Sequence, residues 1–482
     1  MKKNLILQTV YQIWNMCLPL VTAPYLSRRL GAEQLGIFSY TSSVVSYFAL
    51  AAMLGTVHYG ARSIAAVRED PDARSEVFWS VFFLQAFAAA AASAAYGGYL
   101  VLLCRENRGI SLLQALRLAG CLLDISWFFF GMEKFEITAG CGMLVKLLTA
   151  VLVLLLVKTP EDLWLYVLIT LGGAAAGQLA LFAFLPRFVS FRKPGVPGVI
   201  ARLRPNLVLF VPLLAMSVYH TMDKTMLGLL SDYRQSGFYY SADKVINIPI
   251  SILNGMGTVM LPRVSALVSQ DRREEAGRLL AAAWEGTAAV SIALACGIAA
   301  VSREFIPLFY GEGYEPCILL TAVFAPVLVV KSFSVMVRTQ YLIPMEMESA
   351  WIRAAAAGAA VNLLFNLLLI PPFGALGAAA ATLLAECAAC ALQLFALRGS
   401  GLGLLRVGKR TGTYLAAGLT MILLVRAAAL LQAGPLVKLL VEIALGAVFY
   451  CAACLIFWIK TDNQFYKLIA GSIFKKRGVG DE

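Results

Sequence analysis

Residues 137–157 read ITAGCGMLVKLLTAVLVLLLV, an apolar run broken by a single cation, Lys146. A bilayer core needs roughly 20 consecutive apolar residues per crossing helix, so this stretch is long enough to span and carries one charge that hydrocarbon does not solvate. The pattern recurs from Leu5 to Ile459. Hydropathy and turn signals place crossings near 5–27, 36–57, 77–104, 110–130, 137–157, 163–186, 206–230, 237–261, 279–301, 316–336, 349–370, 375–397, 411–431 and 436–459. Composition agrees, with 60% of the 482 residues hydrophobic, 14% charged and a mean hydropathy of +0.77. The runs are continuous and rich in Ala and Leu, which excludes the ten-residue alternation of a membrane barrel. The expected fold is an all-α polytopic membrane protein with about 14 transmembrane helices.

Orientation follows from the loops, because cytoplasmic loops keep an excess of Lys and Arg. Of the 40 cations, 25 fall in loops and ends on one side, seven on the other and eight inside crossings. Both termini are therefore expected in the cytoplasm. The formal net charge of +12 reads as a topology signal, and no nucleic-acid partner is expected. Met1-Lys2-Lys3 opens a run that continues past Pro19 without a short apolar region and cleavage site, so it reads as a retained first helix. Cys387/Cys390 and Cys451/Cys454 lie in continuous helix, and only two His are present, so no metal site is expected.

What an enzyme needs is missing. The first outer loop offers only Glu33, the longest outer loop runs roughly from Ser302 to Glu315, and no nucleotide-cradling glycine loop with Lys-Ser/Thr occurs. The chain reads as a passive or ion-coupled transporter without a catalytic domain or cofactor, with H+ or Na+ coupling open.

Polar residues inside the crossings recur on helical faces. Gln8, Gln12, Asn15, Pro19, Thr22 and Arg29 share one face of the first, and Gln114, Arg117, Cys121 and Asp124 are in phase in the fourth. The seventh holds Tyr219, His220, Asp223 and Lys224; the eighth holds Tyr240, Asp243, Lys244, Asn247, Ser251 and Asn254. Isolated ions stand at Lys146, Glu285, Lys331, Arg353 and Glu386. A charge at the centre of a membrane helix costs about 2.5–3.5 kcal/mol on insertion scales, so these faces are expected to surround a wet central cavity whose cations hold an anionic group such as phosphate. A structural reading stands beside that one. Asp223 with Lys244, Asp243 with Lys224, and Arg117 with Asp124 suit ion pairs, Lys438 and Glu442 suit an i,i+4 pair, and Arg28 and Arg29 suit snorkelling at a helix end. Gly374 to Ala381 suits close helix packing.

The basic stretch from Arg187 to Arg204, with Pro194-Gly195-Val196-Pro197-Gly198 inside it, divides the first six crossings from the rest. The expected organisation is a first lobe over 1–190, a basic cytoplasmic linker over 191–205, a second lobe over 206–398, and two further helices with a basic cytoplasmic tail over 399–482. Gly36-Ile37-Phe38-Ser39-Tyr40 and Gly237-Phe238-Tyr239-Tyr240-Ser241 open the second crossing of each half, a trace of internal repetition of the kind transporters show.

Several segments resemble the Wzx-type oligosaccharide-lipid flippases of the polysaccharide transporter family. They are Ala23-Pro24-Tyr25-Leu26-Ser27-Arg28-Arg29-Leu30-Gly31 with Gly36-Ile37-Phe38, Tyr59-Gly60-Ala61-Arg62-Ser63-Ile64-Ala65, and Asp124-Ile125-Ser126-Trp127-Phe128-Phe129-Phe130-Gly131 running on to Phe135. Asp223-Lys224 with Gly228, Gly237 to Lys244, and Leu261-Pro262-Arg263-Val264-Ser265 continue the series, so the resemblance covers about residues 5–400. It implies the superfamily shared with multidrug extruders and peptidoglycan-precursor flippases, with two six-helix lobes facing as a V and two C-terminal helices appended. It also implies a multi-pass protein of the bacterial cytoplasmic membrane, functional as a monomer beside polysaccharide polymerase and glycosyltransferase partners. The implied substrate is an undecaprenyl-diphosphate-linked oligosaccharide turned to the outer leaflet for surface polysaccharide assembly. Carried over residue by residue, Arg28, Arg62, Lys146, Lys224 and Lys244 are expected to attract the diphosphate, with Arg29 and Arg117 as second choices. Asn15, Tyr40, Tyr240 and Asn247 are expected to contact sugar; Asp124, Asp223 and Asp243 would balance charge or couple an ion. Two other classes stay open at this point, a multidrug or cation antiporter of the same superfamily and a polytopic enzyme of polysaccharide assembly.

Overall fold

The computed structural model describes residues 2–399, 404–428, 434–461 and 465–466. Side chains of Gln8, Gln12, Asn15, Tyr219, His220 and Asn254, and the tail over 467–482, lie outside the described residues. Among the described residues every regular element is helical. Ten segments are long and apolar enough to cross a membrane. Two of them are each a pair of helices joined at one glycine. With α10 (Leu203–Leu230) and α11 (Tyr233–Ser269) the crossings match the fourteen expected. By contacts the chain divides into two units, Met1–Tyr240 and Ser241–Glu482.

The first unit opens with α1 (Lys2–Met53), broken at Gly31, whose φ of +76° is open to glycine and strained for an L side chain. Leu26, Leu30, Leu35 and Ile37 flank this break and bury against Val153, Val157, Leu163 and Val167 of the region joining α7 (Phe135–Leu156) to α8 (Leu163–Phe182). Tyr25 Oη donates there to the carbonyls of Leu154 and Val157, at 2.9 and 2.6 Å, satisfying acceptors that the end of α7 leaves free. After Gly55 (φ +76°) comes α2 (Thr56–Ala66). Then α3 (Pro71–Leu102) starts on Asp70, whose Oδ1 accepts from the N–H groups of Asp72 and Ala73, with Pro71 in the first turn.

The continuous crossing expected at 110–130 is three short helices, α4 (Arg108–Gln114), α5 (Leu116–Leu123) and α6 (Ser126–Gly131). The break between α5 and α6 persists because Gln85 of α3, fully buried, reaches across. Its Nε2 donates to the carbonyls of Cys121 and Asp124 at 2.6 and 2.9 Å, and its Oε1 accepts from Trp127 Nε1 at 3.0 Å. Irregular backbone at membrane depth survives only where such partners exist. Gly60 and Gly131 let α2 and α6 approach so closely that a Cβ at Gly60 would run into Trp127 and one at Gly131 into Ala61 O. Two of the segments quoted for the family resemblance therefore pack on each other. A third and fourth do the same: Gly36 of α1 meets the backbone of Tyr233 and Gly237, and Gly237 meets that of Ala32. The short α9 (Val196–Ala201) lies within the basic stretch before α10.

The second unit contains most of α11, then α12 (Arg273–Tyr310), α13 (Pro316–Val337) and α14 (Glu348–Ala396). Gly374 (φ +54°) splits α14 and turns its halves back on each other, since Gly358 faces Ala385 O and Ala389, and Gly377 abuts the Leu369 carbonyl. The run from Gly374 thus packs helices closely, as its composition suggests. The last two crossings, α15 (Leu404–Ala428) and α16 (Pro435–Lys460), share a core with α12 that includes Trp284, Ile292, Tyr414, Met421 and Tyr450. Trp284 Nε1 donates to Thr411 Oγ1 at 3.0 Å, Tyr450 Oη to the Ala289 carbonyl at 3.0 Å, and Trp458 Nε1 to Tyr414 Oη at 2.8 Å. Lys438 does not pair with Glu442 one turn away; it reaches Glu304 of α12 at 3.5 Å.

Candidate functional site

Ser39, Ser42, Ser43 and Ser46 recur at i, i+3, i+4 and i+7 on the second half of α1, which puts four hydroxyls on one face. Across from that face lie Arg117 of α5, Thr221 and Lys224 of α10, and Tyr240 of α11. Together they line a cavity of about 210 Å³ within the first unit. Arg117 Nη1 donates to Ser42 Oγ at 3.2 Å. Ser43 Oγ and Tyr47 Oη both meet Thr225 Oγ1, at 2.8 and 3.1 Å. Lys224 Nζ lies 5.8 Å from the centre of the Tyr240 ring, a cation–π approach. The Ser39 hydroxyl, 2% exposed, has no hydrogen-bond partner among the described residues. No carboxylate is among the described residues that line the cavity, so two cations and a set of hydroxyls face a space suited to a small anionic group.

Of the neighbouring acids, Asp223, next to Lys224 in sequence, is 5% exposed and accepts from Tyr239 Oη at 2.6 Å. Asp124 Oδ1 accepts from the Ser126 N–H at 2.9 Å, in the turn that leads into α6. Arg117 and Asp124 accordingly do not form the ion pair that their spacing allows.

The other expected site residues are dispersed. Lys146 lines a second and larger cavity of about 510 Å³, also within the first unit, among Tyr11, Thr22, Thr138, Thr149, Gln178 and many apolar side chains. Its Nζ is 3.4 Å from Tyr11 Oη. Arg28 and Arg29 are exposed beside the break in α1, Arg29 lying over the Tyr25 ring at 5.7 Å, and Arg62 is exposed on α2. None of these three lines either cavity. Tyr40 packs its ring on Gly228 and, at 5.7 Å, on Tyr233, so it builds the wall behind the serine face. Asp243, Lys244 and Asn247 belong to the second unit, where Asn247 Nδ2 donates to Asp243 Oδ1 at 2.6 Å and to its carbonyl at 2.9 Å. Three of the isolated ions also find partners there: Glu285 takes Arg410 and, at 3.3 Å, Tyr414 Oη, and Lys331 lies 4.0 Å from Glu386.

Of the residues singled out from sequence, then, Arg117, Lys224 and Tyr240 share one site. The serine face was missed, although its spacing is visible in the sequence; serines are common enough in membrane helices that only their position opposite two cations marks them.

A family model described as polysaccharide biosynthesis protein matches residues 1–268. The chain is 24% identical over 417 residues, 83% of its length and 98% of the relative's, to a protein of Escherichia coli (strain K12) named "Putative O-antigen transporter". A protein of the same name from Shigella dysenteriae is 24% identical over 397 residues, 80% of this chain and 97% of that one. Among solved structures, the lipid II flippase MurJ in an inward closed conformation is similar with a TM-score of 0.75 at 14% identity, covering 96% of this chain and all of the other. An inward-facing multidrug resistance transporter of the MATE family follows with a TM-score of 0.59 at 15% identity over 84% of this chain and 96% of the other.

Proposed function

Because the chain belongs to the polysaccharide biosynthesis protein family, we propose that it is a flippase for lipid-linked oligosaccharide, turning the polar head of a polyprenyl-diphosphate carrier from the inner to the outer leaflet. It is a multi-pass membrane transporter rather than an enzyme. The observation that carries the substrate reading is the cavity that Arg117 and Lys224 line with serine and threonine hydroxyls and, among the described residues, without a carboxylate. A diphosphate in hydrocarbon loses hydration that costs far more than any single contact returns. Charge-assisted hydrogen bonds from Arg and Lys replace that hydration, and hydroxyls complete the shell, while the polyprenyl tail stays in lipid. A cationic drug would meet like charge at this place, which disfavours the antiporter reading.

In this mechanism Lys224 and Arg117 receive the diphosphate, and Tyr240 offers a ring face to the first sugar. Arg62, exposed on α2, gathers the anionic head from the cytoplasmic side; Lys146, Lys244 and Asn247 act further along its path, and Arg28 and Arg29, exposed at the first outer loop, meet it on the exit side. The cavity opens to each side of the cytoplasmic membrane in turn as the lobes over 1–190 and 206–398 rearrange, driven by H+, Na+ or the membrane potential acting on net charge. Purified protein in liposomes is expected to move a fluorescent polyprenyl-diphosphate oligosaccharide between leaflets. Losing one charge-assisted bond of roughly 1.5 kcal/mol makes Lys224→Ala about tenfold slower. Equal rates for wild type, Lys224→Ala and Arg117→Ala at matched protein levels would remove this cavity from the pathway.

A further inference from the structure

Four charged side chains meet where α12, α15 and α16 pack together, away from the cavities of the first unit. Glu304 of α12, with 9% of its side chain exposed, lies 3.2 Å from Arg426 Nη1 of α15 through Oε2 and 3.5 Å from Lys438 Nζ of α16 through Oε1. Glu442, one turn beyond Lys438, is 1% exposed, and neither of its carboxyl oxygens has a hydrogen-bond partner among the described residues. The charged groups that face it are Glu304, Lys438 and Arg426.

Both cations are thus committed to Glu304. An ionised Glu442 would be a dehydrated anion with no donor of its own and with a second carboxylate beside it. Burial and a like charge each disfavour that form. One proton on Glu442 removes both penalties, since a neutral carboxyl neither repels Glu304 nor needs a cation, and Glu304 keeps its two. We propose that Glu442 is a proton-binding site, and that its proton holds the last two helices on α12. Release of the proton requires Glu442 to reach water or to take Lys438 from Glu304, and either change shifts α16 against α12. Proton occupancy and the seating of α15 and α16 are therefore linked, whatever the transporter carries.

Infrared spectroscopy on the purified full-length protein tests this directly. At neutral pH the wild type should show the C=O band of a protonated buried carboxyl, shifted on exchange into D2O and lost in Glu442→Gln. Gln mimics the neutral acid in shape, so this variant should melt at or above the wild-type temperature at neutral pH. The folded state keeps a proton on Glu442 that the unfolded chain gives up, so the wild-type Tm should fall as pH rises from the ordinary carboxyl range until the folded Glu442 itself deprotonates, while Glu442→Gln should lack that part of the decline. A spectrum in which Glu442→Gln removes no carboxyl band overturns the proposal. So does a Glu442→Gln protein that melts well below wild type at neutral pH or fails to fold, because an ionised and paired Glu442 would then be what the fold uses.

Discussion

Asp223 and Lys224 are adjacent in sequence and have opposite fates, which the 100° step of an α-helix explains. Lys224 looks into the serine-lined cavity, and Asp223 is buried against Tyr239 with a 2.6 Å hydrogen bond. The sequence leaves both open as members of ion pairs, with Lys224 otherwise a diphosphate contact and Asp223 a charge-balancing or ion-coupling acid, because helical phase says which residues share a face but not which neighbour that face meets. The consequence is a separation of effects. Asp223→Asn removes the charge from a buried hydrogen bond worth about 1.5–3 kcal/mol, so a lower Tm is expected with the transport rate per folded molecule within about twofold; rate and melting measured on the same preparation check it. Gln85 makes a related point. One buried amide holds two carbonyls and one indole N–H, and Gln85→Leu would strand all three. At about 1–3 kcal/mol for each stranded group, that variant is expected to lose most of its folded yield, visible as a collapse of the monodisperse peak in detergent. Nothing in the residues around Gln85 announces this role, since a single Gln in an apolar run looks like any other tolerated polar residue.

At the level of elements, the crossings were legible because each is an apolar run of membrane length, and the glycine breaks were legible only as boundaries. Gly31 and Gly374 each divide what is otherwise one unbroken helical run. Short loops read from turn residues become single-residue corners, because flanking residues such as Leu30 and Ala375 stay helical and bury. The fourth crossing is where the sequence misleads: its hydropathy is continuous, yet partners supplied from α3 stabilise a break that no local signal encodes. Close approach of helices was better foreshadowed. The motifs beginning at Gly36 and Gly237, read as a trace of repetition, form one crossing in which either glycine touches the opposite backbone. Gly237→Leu has no room there and is expected to abolish folded protein, whereas Gly277→Leu, where nothing lies within 4 Å of an added Cβ, should be tolerated; membrane yields of the two variants decide. Gly374→Ala tests the corner of α14 separately. Its φ of +54° costs an L residue about 1–3 kcal/mol, so Tm should drop without loss of the fold.

Over the whole molecule the distribution of charge predicts the orientation in the membrane. Hydrophobic length fixes how many times the chain crosses, but a bundle of crossings can insert either way up, and only the loop cations break that tie. Twenty-five Lys and Arg against seven is a large bias, and at roughly 1 kcal/mol per cation near an anionic cytoplasmic leaflet it outweighs any single misplaced residue. On the proposed function, the bias is also expected to set the side from which the substrate comes: with both termini inside, Arg62 and the basic stretch over 187–204 would face the leaflet on which a lipid-linked sugar is made, and the few cations opposite would leave the exit side less attractive to a diphosphate. Impermeant thiol labelling measures this arrangement. In a variant whose ten native Cys are replaced, a Cys introduced at Lys3 or Lys475 should react only after the cells are opened, and one introduced at Arg105 or Arg234 should react in intact cells. Labelling of position 3 from outside would invert the molecule, and with it the direction in which the site bounded by Arg117 and Lys224 is loaded.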